Sequence, residues 1–98
     1  MQSWTDRAAT VRADGTGAIA EAVVRRWFTQ PDPLLRKECE KMAGSTPAEG
    51  YASCCEAIAT MDLRPDLPVI TAPTLAIAGA DDPATPPYHL EQIATKAG

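Results

Sequence analysis

Two adjacent carboxylates, Asp81 and Asp82, follow directly on an apolar run that ends at Gly79. Thr74 to Ala78 contains almost nothing that needs water, and a short apolar run bounded by turn residues reads as a strand covered on both faces. Pro83 continues a loop after the carboxylates, and Thr85 with Pro86 reads as the cap and first residue of a helix. In open α/β sheets functional groups collect just past the carboxyl ends of strands, so this loop is where chemistry is expected. An aspartate there can orient a histidine or hold a metal ion. His89 is the sequence's single histidine. It falls on the first turn of the following helix and reads as a surface or cap residue, too near Asp82 in sequence to be presumed its partner. Asp81, Asp82, His89 and Glu91 have no recognisable metal-ligand spacing, and no metal or cofactor is expected.

Two other groups could do chemistry. Arg26 lies near the centre of a stripe made by Ile19, Ala22 and Val23 on a helix predicted over 17–29, with Trp27 at its flank. A guanidinium in apolar surroundings must find an anion or reach outward. Its functional reading is a contact, shared with Trp27, to a substrate carboxylate. Arg25 points elsewhere and reads as solvated. The cysteines are Cys39, Cys54 and Cys55, an odd number with two adjacent. Lacking metal spacing or a neighbouring histidine, Cys54 and Cys55 read as buried structural cysteines, and the three together as reduced thiols that favour a cytoplasmic address.

The elements that must position these groups are mostly helical. Ser3 and Asp6 form a capping box for a helix that buries Trp4, Ala8 and Val11 and stops at Gly15. Thr16 reads as the cap of the second helix. Gln30-Pro31-Asp32-Pro33 breaks the chain, and Asp32 caps a charged third helix ending near Gly44. Thr46-Pro47-Ala48-Glu49 opens a fourth helix running to about Thr60, with Tyr51, Cys55 and Ile58 on one stripe. Asp62 to Ala72 is a linker, and the last helix, Pro86 to about Lys96, turns Leu90, Ile93 and Ala94 inward. The expected organisation is a helical region over 1–62 and a piece of α/β core over 63–98, with a strand at about 74–79 and the acid loop at 79–85. A lone strand leaves its backbone unpaired, so the chain reads as part of a larger α/β protein.

The totals narrow the classes. At 98 residues the chain fits one small domain; a net charge of −4 without a basic stripe speaks against nucleic-acid binding. No apolar stretch approaches the roughly 20 residues of a membrane helix, and Met1 to Asp6 has no signal-peptide pattern.

Strand, Gly79-Ala80-Asp81-Asp82-Pro83, then Thr85-Pro86-Pro87 opening a helix resembles the acid loop of α/β-hydrolases, with the family's aspartate falling on Asp82 and Asp81 as runner-up. Further segments are similar to one branch, the 3-oxoadipate enol-lactone hydrolases of the β-ketoadipate pathway of aromatic catabolism. They are Trp4-Thr5-Asp6-Arg7, Arg26-Trp27-Phe28-Thr29, Gly50-Tyr51-Ala52-Ser53-Cys54-Cys55 and Asp62-Leu63-Arg64. The resemblance implies helical lid (cap) segments, one core strand and its helix, from an enzyme with a Ser-His-Asp triad. The chain has no Gly-x-Ser-x-Gly elbow; Ser3, Ser45 and Ser53 fall in caps or a helix, and the family's histidine follows a later strand. The 98 residues alone are expected to be inactive, the lactone substrate and the missing parts of the hydrolase being the implied partners. The competing readings are a fragment of another lidded hydrolase, an esterase or a C–C bond hydrolase, and a non-catalytic helical interaction module. A helical module would fold as a monomer with a sharp melt; a hydrolase piece would be molten or aggregating.

Overall fold

A computed structural model of the chain describes residues 3–30 and 32–97. The readings made above of Met1, Gln2 and Pro31 lie outside the described residues. Five α-helices occur among those described: α1 (Trp4–Asp14), α2 (Gly17–Arg25), α3 (Pro33–Gly44), α4 (Ala48–Thr60) and α5 (Pro87–Lys96), with a 3₁₀ helix at Arg64–Val69. The chain divides into two compact units, Met1–Met61 and Asp62–Gly98.

In the first unit α1 packs on α4 and on α2, and α2 packs on α3. The α1 start is the expected capping arrangement: Ser3 Oγ accepts from the Asp6 N–H at 3.1 Å. Gly15 ends the helix at φ 82°, a left-handed value a side chain would strain. Its N–H donates back to the Val11 carbonyl at 2.8 Å. Ala8, Val11, Ile19, Ala52 and Cys55 form one buried cluster, with Val23, Ala48 and Tyr51 packed against it. Burying a valine side chain contributes on the order of 1.5–3 kcal/mol, and Val11 and Val24 are the largest side chains fully shut off from solvent. Trp4 departs from expectation: it is 37% exposed. The Arg7 guanidinium lies 4.5 Å from its ring centroid, a cation–π pair one turn apart.

Helix α2 is four residues shorter than predicted. Beyond Arg25 the chain tightens, with Arg26 N–H donating to Val23 O at 3.2 Å and Trp27 N–H to Val24 O at 2.9 Å. Gln30 precedes a proline and is biased out of the α region, so the helix must unwind before it. Its buried face is Ile19, Ala20 and Val24, one step round from the predicted Ile19–Ala22–Val23 stripe, and it leaves Ala22 and Arg26 in solvent.

Thr16 does not cap α2. It is buried, and its hydroxyl lies 2.8 Å from Thr46 O and 3.0 Å from Gly44 O. One hydroxyl proton thus ties the start of α2 to the turn between α3 and α4. The same tie explains the late start of α4. Thr46 belongs to the last turn of α3, its N–H donating to Ala43 O and its hydroxyl to Met42 O. Pro47, in extended backbone, therefore takes the cap position expected of Thr46. Asp32 caps α3 as predicted, accepting from Leu35 N–H at 3.1 Å.

Arg12 of α1 spans to α4. It holds Glu49 bidentately at 2.9 and 3.1 Å and also pairs with Glu56. These bonds hold the Glu49 carboxyl below its ordinary range and raise the Arg12 guanidinium further. The cysteines divide: Cys55 is buried, and that burial pushes its thiol up, whereas Cys54 is exposed, contrary to expectation.

In the second unit no described residue is buried. Part of the expected linker winds into the 3₁₀ helix, against which α5 packs. Arg64 doubles back on Asp62 with side-chain bonds of 2.8 and 2.7 Å, which hold that carboxyl down at about 2. No strand forms at 74–79: the segment has neither helix nor ladder, and Leu75 and Ile77 stand 84% and 78% exposed. A strand is defined by pairing, and among the described residues nothing is available to pair with it. Helix α5 begins one residue later than predicted because Pro86 precedes Pro87, which drives Pro86 to ψ 164° and out of the helix. Leu90 and Ile93 are half-buried, while Ala94 is exposed.

Candidate active-site loop

The loop after Gly79 is built by its own hydrogen bonds. Asp82 N–H donates to Gly79 O at 3.2 Å and closes a turn over Ala80 and Asp81. Past Pro83 the chain bonds back to the Asp82 side chain. Asp82 Oδ1 accepts from Ala84 N–H at 3.0 Å and Thr85 N–H at 3.1 Å, and Oδ2 accepts from the Thr85 hydroxyl at 2.8 Å. Aspartates favour such turns because a short carboxylate reaches the backbone two and three residues on.

The electrostatic consequence is a carboxyl held below its ordinary range. The Thr85 backbone and hydroxyl bonds contribute most, followed by Ala84 N–H, with a smaller contribution from the charge of His89. The group is ionised at neutral pH and accepts only. Each carboxylate oxygen offers about two acceptor positions. Those of Oδ1 are filled by the two backbone donors, and one on Oδ2 is left for an incoming N–H. An acceptor fixed in this way can orient an imidazole and stabilise its protonated form.

Asp81 differs from its neighbour. It is exposed and makes no hydrogen bond among the described residues. The His89 ring stacks edge-on against Tyr88, centroids 4.4 Å apart, and makes no hydrogen bond to Asp82. Ser3 is the α1 cap, Ser45 Oγ donates to Met42 O, and Ser53 Oγ donates to Glu49. Among the described residues no serine is hydrogen-bonded to a histidine, and no three His, Cys, Asp or Glu side chains assemble into a metal-holding group.

In the first unit Arg26 is the residue that ends α2, and it is exposed; Trp27 is 51% exposed. Neither lines the open groove of about 210 Å³ between the end of α2 and the start of α3. That groove is formed by Arg25, Phe28, Thr29, Gln30, Asp32 and Arg36. Arg25, read from the sequence as simply solvated, bonds Glu21 at 3.1 Å and forms part of its wall. Sequence reasoning also missed Thr85 as the clamp on Asp82. The signal was present as Asp-x-x-Thr, a spacing that serves a side-chain turn as well as a helix cap.

The chain is 44% identical over 88 residues to 3-oxoadipate enol-lactonase 2 of Acinetobacter baylyi, an alignment covering 86% of this chain and 33% of that relative. Over that stretch the chain is similar to the 3-oxoadipate enol-lactonases. A second curated protein of the same organism, 3-oxoadipate enol-lactonase 1, is 40% identical over 87 residues, covering 84% of this chain and 32% of its own length. The chain thus spans about a third of the length of the enol-lactonases it matches. No family model and no solved structure matches it. No helix among the described residues is long and apolar enough to cross a membrane.

Proposed function

We propose that these residues are the lid helices and the acid loop of a cytoplasmic carboxylic-ester hydrolase that opens 3-oxoadipate enol-lactone to 3-oxoadipate. The observation that carries the reading is the similarity to two proteins named for that activity, reaching a chain with a clamped, ionised aspartate after an apolar run.

In this reading a serine and a histidine from chain outside these residues complete a triad with Asp82. The serine attacks the lactone carbonyl; the histidine takes the serine proton and returns one to the enol leaving group. Water then attacks the acyl-enzyme and frees the acid. Asp82 Oδ2 accepts the imidazole Nδ1–H, holds its tautomer and stabilises the imidazolium, without itself changing protonation state. The 74–79 segment pairs as a strand of the parent sheet, which supplies the backbone partners it lacks here. The lid helices wall the site, and Arg26 with Trp27, both solvent-accessible, meet the carboxylate of the substrate. Without a serine nucleophile and its base the 98-residue chain hydrolyses nothing.

The test is the coding sequence on either side, together with Asp82→Ala and Asp81→Ala in a full-length protein carrying this segment. An upstream Gly-x-Ser-x-Gly, a downstream histidine, and lactonase activity that collapses in Asp82→Ala alone are expected. Activity that survives Asp82→Ala and collapses in Asp81→Ala overturns the assignment.

A further inference from the structure

The groove between α2 and α3 combines three features that the lactonase reading does not use. Its walls carry two guanidiniums. Arg25 spends one N–H on Glu21, and the half-buried Arg36 has no side-chain acceptor among the described residues. Phe28, half-buried, supplies one apolar surface, and Thr29 and Gln30 add neutral polar groups. Asp32, the one anionic group in the lining, has an oxygen already occupied by Leu35 N–H at the α3 cap. At about 210 Å³ the space is below the roughly 300–1,000 Å³ of sites for drug-sized ligands, so its occupant has only a few carbon atoms.

We propose that this groove binds a small monocarboxylate, its carboxyl group held by Arg36 and Arg25 and its short apolar body lying on Phe28. The arginine fork matches a carboxylate bidentately, and Arg36, with no side-chain acceptor among the described residues, is open to an anion. The fixed charge of Asp32 selects against a second negative charge on the ligand. Arg26 and Trp27 do not line the groove, so the site is separate from the substrate contact assigned to them. The inference does not depend on the lactonase reading, because binding requires neither serine nor histidine.

Hexanoate titrated into the 98-residue chain is the test, with 1-hexanol as the neutral probe of equal length, followed by calorimetry and by the arginine Nε–H and Phe28 ring resonances. Saturable hexanoate binding that moves the Arg36 and Phe28 signals, with no saturation by hexanol, is expected. Arg36→Gln weakens hexanoate about tenfold or more, the loss of a charge-assisted pair. Arg25→Gln weakens it by a smaller factor, and Lys41→Gln, exposed on α3 and outside the lining, leaves it unchanged. Equal binding of hexanol, an unaffected Arg36→Gln variant, an equal loss in Lys41→Gln, or the absence of saturable hexanoate binding each overturns the proposal.

Discussion

In Met1–Met61 the valines at 11 and 24 are sealed from solvent by neighbouring helices, whereas in Asp62–Gly98 Leu75 and Ile77 stand in water. Both stretches are rich in apolar residues, so hydrophobicity is not what separates them. The first unit holds α1, α2, α3 and α4, whose faces can cover one another, and one buried hydroxyl, Thr16, that ties two of its turns together. Among the described residues the second has one α-helix, a 3₁₀ helix and an apolar run at 74–79 that joins no ladder. Yet the second contains the better-defined polar group. Asp82 is fixed by bonds within four residues and needs no core. Local hydrogen bonding can prepare a functional side chain where tertiary burial is absent.

The sharpest break in that comparison is functional. In a full-length protein carrying this segment, Asp82→Ala is expected to cost on the order of 10⁴ in turnover, the magnitude seen for the equivalent aspartate in serine proteases. The thermal melt should fall only slightly, because the bonds lost are local and near solvent. Steady-state kinetics beside a melt would separate the two, and a large stability loss would show that Asp82 is structural.

Next comes the core. Val11→Ala removes two buried methyls and leaves a cavity, for a loss of roughly 2 kcal/mol. Ile77→Ala in the same chain should change stability by less than about 0.5 kcal/mol, because its side chain is already exposed. Urea denaturation of both variants checks the contrast; equal losses would mean that the second unit has a core of its own.

A smaller effect belongs to caps. Asp32→Ala exposes the Leu35 N–H and is expected to cost about 1 kcal/mol. Thr85→Val removes one of the bonds that hold the Asp82 carboxyl down, so that group should titrate at higher pH, read from its carboxyl carbon resonance.

The smallest effect is on pH dependence. Glu49 is depressed below its model-compound value of 4.5 by Arg12. A carboxyl lowered by folding adds stability that is full above its unfolded value and is lost as pH falls through the folded one. The first unit should therefore melt at progressively lower temperature below about pH 4.5, and Arg12→Gln should flatten that part of the curve. The pair is exposed, so salt should weaken the effect as well. In the second unit Asp62 gives the same sign between its ordinary 3.8 and about 2.

Much of the helical pattern could be read directly. Ser3, Gly15 and Asp32 act where their side chains or backbone freedom predict, because each cap depends on residues within one turn. The starts of α4 and α5, each beside a proline, shifted by one because two signals competed. Pro86 yielded to the restriction imposed by Pro87, and Thr46 was claimed by the α3 turn before it could cap α4. The face of α2 was misplaced by one step because its far side is apolar as well. Only packing against α1 and α3 decides which stripe is buried.

Sequence alone determined the caps at Ser3 and Asp32, the stop at Gly15, the five α-helices and the similarity to the enol-lactonases, since these rest on local bonding and on residue identity. Tertiary structure decided the rest. It gave Thr16 its partners from thirty residues away, placed Arg25 and Arg36 on one groove and left the 74–79 run without a ladder. Those outcomes depend on which distant backbone groups are present to meet, and no pattern within a single segment specifies that.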